Sequence, residues 1–343
     1  MNQKLIDCYQ KLIVNSNTLL NEDSTQKFKI ISYKKVLTIL KNLDFEITSG
    51  EQLKDIKGIG ASSIKKINEI LESGTLKILE DIKVSDASSN SDVFDLQKIS
   101  GIGPAKAKKL IQEGITLKSL LDIDFNSIRE SDAEILDMLT HHQTLGVKYF
   151  HDLENKIPYK EIEAIEAYLK EMLSEYNDNL SMVICGSYRR KKPTSGDIDI
   201  LLYHNRITSE SKLKESSFLT EFMDMLISNN FITDHLTSID NPTKYMGFCK
   251  FKKFNRRIDI RLISKKSLGS ALLYFTGSGE FNKSMRSYAL SKQYSINEYG
   301  IYKLDKNGNK AFRIQCDREE DIFKTLGLDY VETQDRLPSY KFS

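Results

Sequence analysis

Apolar residues in the first eighty or so positions recur at helical spacing. Val36, Leu37, Ile39 and Leu40 form one set, and Ile64, Ile67, Ile70 and Leu71 another, so the chain opens with a compact helical unit. Apolar content then almost vanishes at residues 85–92, where Ser85, Ser88, Ser89, Asn90 and Ser91 cluster; this composition predicts a linker. From 93 to 150 the helical period returns, interrupted by Gly101, Gly103 and Gly114, which predicts a second helical unit with glycine turns. Beyond Leu180 the pattern changes. Met182, Val183 and Ile184, then Ile198, Ile200, Leu201 and Leu202, read as buried strands, and residues 257–263 alternate charged and apolar side chains. Helices therefore come first and a sheet later, with short helices and Gly- and Asn-containing turns over the last hundred residues. The expected fold class is multidomain α+β.

The helical region contains an internal repeat. Residues 53–67 (LKDIKGIGASSIKKI) and 96–110 (LQKISGIGPAKAKKL) share Gly-Ile-Gly followed by a lysine-bearing helix. A helix, a tight glycine turn and a second helix leave free backbone N–H groups at a helix start, where a phosphate is well received. One copy is equally well a glycine-terminated helix pair with no ligand. Two copies, each followed by lysines, favour a clamp on a nucleic-acid backbone.

The densest chemistry lies at 186–202, GSYRRKKPTSGDIDILL. Asp197 and Asp199 are two apart, so on a strand both carboxylates face the same side and can share cations. The preceding Gly-Ser turn and arginine pair supply N–H, hydroxyl and guanidinium donors suited to a triphosphate. A two-metal site needs a third carboxylate. Asp259 is the candidate, flanked by Ile258 and Ile260, where an unpaired charge would be costly; a salt bridge with Arg257 or Arg261 accounts for it equally well.

The overall charge adds little, because 50 Lys and Arg against 48 Asp and Glu leave +2, and any nucleic-acid contact has to come from local clustering. Cys8, Cys185, Cys249 and Cys316 are far apart and lack metal-ligand spacing, which fits reduced thiols inside a cell. No apolar run approaches the roughly 20 residues of a membrane helix, and the start of the chain has no signal-peptide core. Neither secretion nor membrane insertion is expected.

The runs SGIGP, HHQ-LG-KYF, CGSYRR, SGDIDILL, RRIDIRLI and LYFTGS-FNK-MR-YAL-K-INEY together resemble the family X DNA polymerases of the polymerase beta type, over residues 28–332. The resemblance implies a helical deoxyribose-phosphate lyase domain at 1–84 and, after the linker at 85–92, a helix-hairpin-helix DNA-binding subdomain at 93–150. A nucleotidyltransferase palm at 151–264 and a nucleotide-selecting α+β subdomain at 265–343 complete it. It also implies roles. Asp197 and Asp199 hold two Mg2+ ions, which Mn2+ can replace, and Asp259 binds the catalytic ion and promotes deprotonation of the primer 3′-hydroxyl. Lys156, Ser187, Arg190, Ser195 and Gly196 hold the triphosphate, with Arg189 supporting them. Tyr274, Phe275, Gly277 and Asn282 meet the incoming nucleotide, and Lys283 and Arg286 the template. Without the motif, Tyr274 and Phe275 would read as core.

For the lyase reaction the resemblance puts the Schiff-base amine at Lys66, with Lys29, Tyr33 and Lys54 around the 5′-phosphate. Gly58, Gly60, Gly101 and Gly103 lie at the DNA backbone, and the carbonyls of Lys54, Ile56, Ile59, Gln97, Ile99 and Ile102 hold Na+ or K+ at the hairpins. Nearby Lys65, Lys54 and Lys29 are expected to favour the neutral, nucleophilic amine. Three positions depart from the family pattern: Gly279 stands where a side chain packs on the incoming base, and Ser62 and Ile78 where lysines are usual. The implied substrates are gapped or nicked DNA with a 5′-phosphate and deoxynucleoside triphosphates. A monomer is expected, intracellular, in the nucleus if cellular and in the cytoplasm if viral, with no proofreading nuclease. Two other readings share some of these elements: a template-independent or tRNA-adding nucleotidyltransferase, and a DNA-binding scaffold without chemistry.

Overall fold

The computed structural model describes residues 2–18, 26–43, 45–56, 58–79 and 92–342. Of the expected linker at 85–92, all but Asp92 lies outside the described residues. The chain forms two compact units, Met1–Phe150 and His151–Ser343.

In the first unit α1 (Gln3–Thr18), α2 (Gln26–Asn42) and α3 (Ala61–Ser73) close around Leu5, Tyr9, Leu12, Val36, Leu40, Leu53, Ile67 and Ile70. The stripe read from α3 is narrower than its sequence suggests. Ile67 and Ile70 are buried, whereas Leu71 falls at the edge of the apolar face and is exposed. The helix stops at Gly74, whose left-handed backbone lets its N–H reach the Ile70 carbonyl at 2.8 Å. A second cluster in this unit gathers Leu96, Ile99, Ile102, Ala107, Leu110, Leu120, Val147 and Phe150 around α4 (Pro104–Gln112) and α5 (His141–Lys148).

The repeated segments fold alike. Ile56 N–H donates to Leu53 O and Ile59 N–H to Ile56 O; Ile99 and Ile102 make the equivalent bonds to Leu96 and Ile99. Gly58 (φ +112°) and Gly101 (φ +87°) turn the hairpins in the region that side-chain-bearing residues avoid, and Gly60 and Gly103 cap α3 and α4. In the second hairpin, Gln143 donates to the Gly101 carbonyl at 2.9 Å. Gly146 lets α5 come so close that an added Cβ would stand 2.4 Å from Ser100 O.

The second unit contains α6 (Tyr159–Tyr176), β1 (Leu180–Ile184), α7 (Gly186–Arg189), β2 (Ile198–His204), α8 (Phe218–Ser228), β3 (Ile232–His235), β4 (Lys244–Phe251) and β5 (Phe254–Ile263). Its sheet runs β1-β2-β5-β4-β3, with β2 and β5 parallel and the other neighbours antiparallel. Ile198, Ile200, Leu202, Ile258, Ile260 and Leu262 pack one face against α6 and α8. On the opposite face Cys185, Leu201 and Ile263 meet Ala271 of α9 (Leu268–Thr276). There follow α10 (Gly279–Ser291), a three-stranded sheet of β6 (Tyr294–Asn297), β7 (Gly300–Leu304) and β8 (Lys310–Ile314), and α11 (Glu319–Thr325). Leu273, Phe281, Met285, Ile301, Ile322 and Phe323 make their common core. All four cysteines are buried, and no helix among the described residues is long and apolar enough to cross a membrane.

The two hairpin glycines of the first repeat should tolerate substitution unequally. A Cβ at Gly58 would lie 2.3 Å from Lys35 Cε on a positive-φ backbone, whereas one at Gly60 meets nothing within 4 Å. Gly58→Ala is expected to cost about 1–3 kcal/mol and Gly60→Ala less than about 1. Denaturant unfolding of both variants checks the order.

Candidate active site

Strand register builds the site. Parallel pairing of β2 with β5 sets Asp199 directly opposite Asp259, and Asp197 precedes β2 on the same face as Asp199. Because alternation sends Ile258 and Ile260 to the core, the Asp259 carboxylate is not buried among them, as the sequence had suggested. It lies on the other face, and Arg257 forks it at 2.9 and 3.2 Å. The salt bridge left open by the sequence is therefore present, and among the described residues no three acidic, imidazole or thiol groups already converge as a metal site.

Burial raises the Asp199 carboxyl to about 7, reinforced by repulsion from Asp197 and Asp259. Burial also raises Asp259, opposed by Arg257, and lowers Arg190.

The phosphate side is equally local. Gly186, at φ +57°, lets the backbone pass Asp199 where a Cβ would come within 2.5 Å of Oδ2. The short α7 that follows offers Ser187, whose hydroxyl donates to Ser195 at 2.8 Å. Ser195 is buried, and Lys156 Nζ lies 3.4 Å from where a Cβ of Gly196 would be. Tyr188 anchors α7 from behind by donating to Glu166 at 2.7 Å and stacking on Tyr159.

Opposite these residues stand the end of α9 and the start of α10. Arg190 donates to the Thr276 carbonyl, and Gly277, at φ +68°, passes close beneath that guanidinium. Tyr274 and Phe275 meet edge to face, and Asn282 donates from its amide to Tyr274 O at 2.6 Å. Lys283 is exposed and paired with Glu280, and Arg286 is exposed. A cleft of about 390 Å3 is lined by Gly186, Ser187, Arg190, Asp197, Asp199, Tyr274, Phe275, Gly277, Asn282, Lys283 and Arg286 from the expected residues, together with Thr276 and Gly279. Ser195, Gly196, Lys156 and Asp259 stand behind or beside it. At Gly279 an added Cβ would meet open space.

In the first unit Lys54 lines a hollow of about 720 Å3 with Lys65, Glu51, Glu69 and Glu72. Lys66 lies outside that hollow and donates to Ser62 Oγ at 2.9 Å, so the residue that departs from the family pattern is itself the partner of the expected nucleophile. Ile78, the other departure, is exposed. Lys29 is exposed, and Tyr33 is half-buried against Tyr9, its phenol raised by burial. Of the expected cation-holding carbonyls, Ile56 and Ile99 each already accept one turn N–H and keep a second lone pair.

Known proteins divide the chain in the same order. The description "DNA polymerase beta palm" matches residues 156–265 and "DNA polymerase beta thumb" 271–337. A helix-hairpin-helix domain matches 1–76, a SAM-like helix-hairpin-helix tandem 50–113, and the fingers domain of DNA polymerase lambda 95–154. DNA polymerase lambda of Rattus norvegicus is 31% identical over 322 residues, covering 90% of this chain and 52% of its own length. That of Arabidopsis thaliana is 30% identical over 353, covering 98% and 62%. The chain belongs to the family X DNA polymerases. DNA nucleotidylexotransferase of Xenopus laevis is also similar, 25% identical over 347 residues, with 90% and 64% covered. The chain thus spans between about half and two thirds of the length of these curated relatives.

Family X polymerases are metal-dependent, and the side chains here fit a cation: Asp197, Asp199 and Asp259 offer oxygen donors only, and their mutual repulsion leaves Asp199 short of positive charge. Sequence reading named Arg189 as the support behind this site but missed its partners. Arg189 donates to Thr276 Oγ1 at 2.6 Å and to Glu319 at 2.5 Å, and the buried Arg336 binds the other Glu319 oxygen at 2.6 Å. Glu319 and Arg336 are both buried, so removing Glu319 would strand the Arg336 charge.

A raised folded-state pKa means that the contribution of Asp199 to stability is present below its unfolded value, 3.8, and lost as pH rises through about 7. In EDTA, Asp199→Asn should therefore stabilise the family X fold at pH 8 by roughly 1–3 kcal/mol, with the gain disappearing near about pH 4. Melting curves across that range test it, and a gain independent of pH would point to a different cause.

Proposed function

We propose that this chain is a template-directed DNA polymerase that fills short gaps during base excision repair, and that its N-terminal region is a 5′-deoxyribose-phosphate lyase. The observation that carries the polymerase reading is the register of Asp199 opposite Asp259 beside a cleft that Arg190 also lines and whose other wall carries Tyr274 and Asn282. In this reading residues 151–264 are the palm and 265–343 select the nucleotide. Residues 93–150 grip DNA, and 1–84 carry the lyase. The substrates are gapped or nicked DNA with a 5′-phosphate and deoxynucleoside triphosphates, taken by a monomer working in the nucleus of its cell.

Ser187, Arg190 and Ser195, with Lys156 and Gly196, hold the β- and γ-phosphates. Tyr274, Phe275 and Gly277 face the incoming sugar, Asn282 meets the base, and Lys283 and Arg286 meet the template. Asp197 and Asp199 would hold two Mg2+ ions, or Mn2+ in their place, and Asp259 one of them. The chemistry a metal held there would supply is a lowered pKa of the primer 3′-hydroxyl and partial neutralisation of the triphosphate. Asp259, released from Arg257, helps to take the hydroxyl proton as the new ester forms at the α-phosphorus and pyrophosphate departs. The hairpins, with Gly58, Gly60, Gly101 and Gly103 at their turns, hold DNA phosphates. The carbonyls of Lys54, Ile56, Ile59, Gln97, Ile99 and Ile102 would hold Na+ or K+.

In the lyase step the neutral Lys66 amine adds to the aldehyde of the opened sugar and loses water. Loss of the C2′ proton then expels the DNA 5′-phosphate from C3′. Lys29, Tyr33 and Lys54 hold the sugar's own phosphate. With Ser62 a hydroxyl and Ile78 apolar, fewer charges hold it than the family pattern supplies, so binding suffers more than chemistry.

Primer extension on a one-nucleotide gap tests the polymerase reading. Asp259→Ala is expected to lower insertion by about a thousandfold or more while gapped-DNA affinity stays within about twofold. Insertion near the wild-type rate would remove Asp259 from the site. The similarity to DNA nucleotidylexotransferase makes a template-independent reading the rival, and extension of a single-stranded primer with no template would favour it.

Lys66→Ala should abolish most borohydride trapping on a 5′-deoxyribose-phosphate end while leaving gap filling intact. Trapping at the wild-type level in that variant would move the amine to Lys65 or another lysine.

A further inference from the structure

The second unit holds another cavity, of about 740 Å3, that shares no lining residue with the cleft of the aspartates. Its floor is the outer face of the three-stranded sheet. Ile296, Ile301 and Ile314 point into the core, so register places Asn297, Tyr302 and Arg313 on the opposite face, where Tyr302 and Arg313 are cross-strand partners. Lys214, Lys266 and Lys310 stand around it, all exposed, and Lys310 reaches over the Tyr302 ring at 4.3 Å.

One acid lines the cavity, and it is already engaged. Glu210 Oε1 accepts the Ser264 and Ser267 hydroxyls, at 2.5 and 2.8 Å, and the Ser264 N–H at 3.3 Å. The four cations Lys214, Lys266, Lys310 and Arg313 against that single carboxylate leave a surplus of three positive charges.

Arg313 is fixed in place. Its Nε and Nη2 donate to Tyr299 O at 3.2 and 2.9 Å, and Nη2 also to Lys266 O at 2.7 Å. The guanidinium lies across Gly300, where a Cβ would come within 2.6 Å of Nε. Nη1 is buried and has no hydrogen-bond partner among the described residues. An unsatisfied buried donor of that kind is costly, and a small rotation toward an anion in the cavity recovers it. A surplus of cations, hydroxyls and a tyrosine floor suits phosphate with an attached base, the pairing used where strands are held by charge and stacking.

We propose that this cavity is a second nucleotide-phosphate site, in which Arg313, Lys266 and Lys310 hold phosphate oxygens and Tyr302 stacks on a base. The ligand is either a segment of single-stranded DNA or a free nucleoside triphosphate, which share this chemistry. The test is equilibrium binding to the full chain in EDTA, which needs no catalysis and stands whether or not the polymerase reading does. Labelled dTTP and a fluorescent short oligo-dT are the probes, titrated against wild type, Arg313→Gln and the double variant Lys266→Glu/Lys310→Glu. Both lysines are exposed, so the double variant keeps its fold and answers the question even where Arg313→Gln does not. The expected result is a loss of affinity of about tenfold or more for one probe at an unchanged melting temperature. Loss confined to oligo-dT assigns a strand; loss that includes dTTP assigns the free nucleotide. Affinities for both probes that match wild type in the double variant overturn the site.

Discussion

Three carboxylates gathered at the end of one sheet repel one another, and much of the second unit is arranged to keep them there. Asp199 cannot move away from Asp259 without breaking the parallel β2–β5 ladder. That ladder is fixed in turn by Ile198, Ile200, Ile258 and Ile260 packed against α6 and α8. The opposing charges are graded. Arg257 grips Asp259 directly, whereas Arg190 lowers Asp199 only through space and donates its own hydrogen bond to Thr276. Asp199 is consequently less compensated than Asp259, an arrangement consistent with the proposed cation site.

The arginine turn links this cluster to the C-terminal elements. Arg189 and Arg190 are adjacent, yet they serve opposite sides of α7: Arg190 faces the cleft, and Arg189 reaches back to Thr276 and to Glu319, itself held by Arg336. Both arginines end on Thr276, the last residue of α9, one by its carbonyl and one by its hydroxyl. A shift of α9 or of the Gly277 turn is therefore felt at the Ser187–Arg190 turn, and the walls of the cleft are mechanically coupled through one threonine.

Much of this was legible in the sequence, for identifiable reasons. Strand alternation alone put Asp197 and Asp199 on one face, and the repeated Gly-Ile-Gly announced two hairpins that prove to share the turn bonds of Ile56 and Ile59 with those of Ile99 and Ile102. The Asp259 environment was read less well, because flanking isoleucines suggest burial only until the alternation of β5 is applied to the aspartate itself. Glu319, Arg336 and Thr276 were missed because the contacts from Arg189 span 87 and 130 residues, and no local spacing records such a pair. The clamp on the second hairpin had a partial signal, since Gln143 and Gly146 lie in the HHQ-LG run. Their contacts with Gly101 and Ser100 needed the fold.

The near-neutral total charge is compatible with the proposed phosphate-rich substrates because of where the charges sit. Acidic and basic side chains are almost equal in number, so a long-range field cannot concentrate the protein on DNA, and attraction has to act within about a Debye length of each cationic group. The structure supplies such groups as separate, short-range features: Arg190 at the cleft, the lysines after each hairpin, and Lys214, Lys266, Lys310 and Arg313 at the outer sheet face. Screening by salt weakens the exposed lysines first and the half-buried, backbone-held arginines least. Affinity for DNA as a whole should then be salt-sensitive, while the positions of Arg190 and Arg313, set by fixed carbonyl partners, should not be. In the proposed polymerase this arrangement would separate capture, which salt can tune, from alignment of the reacting groups, which the packed core determines.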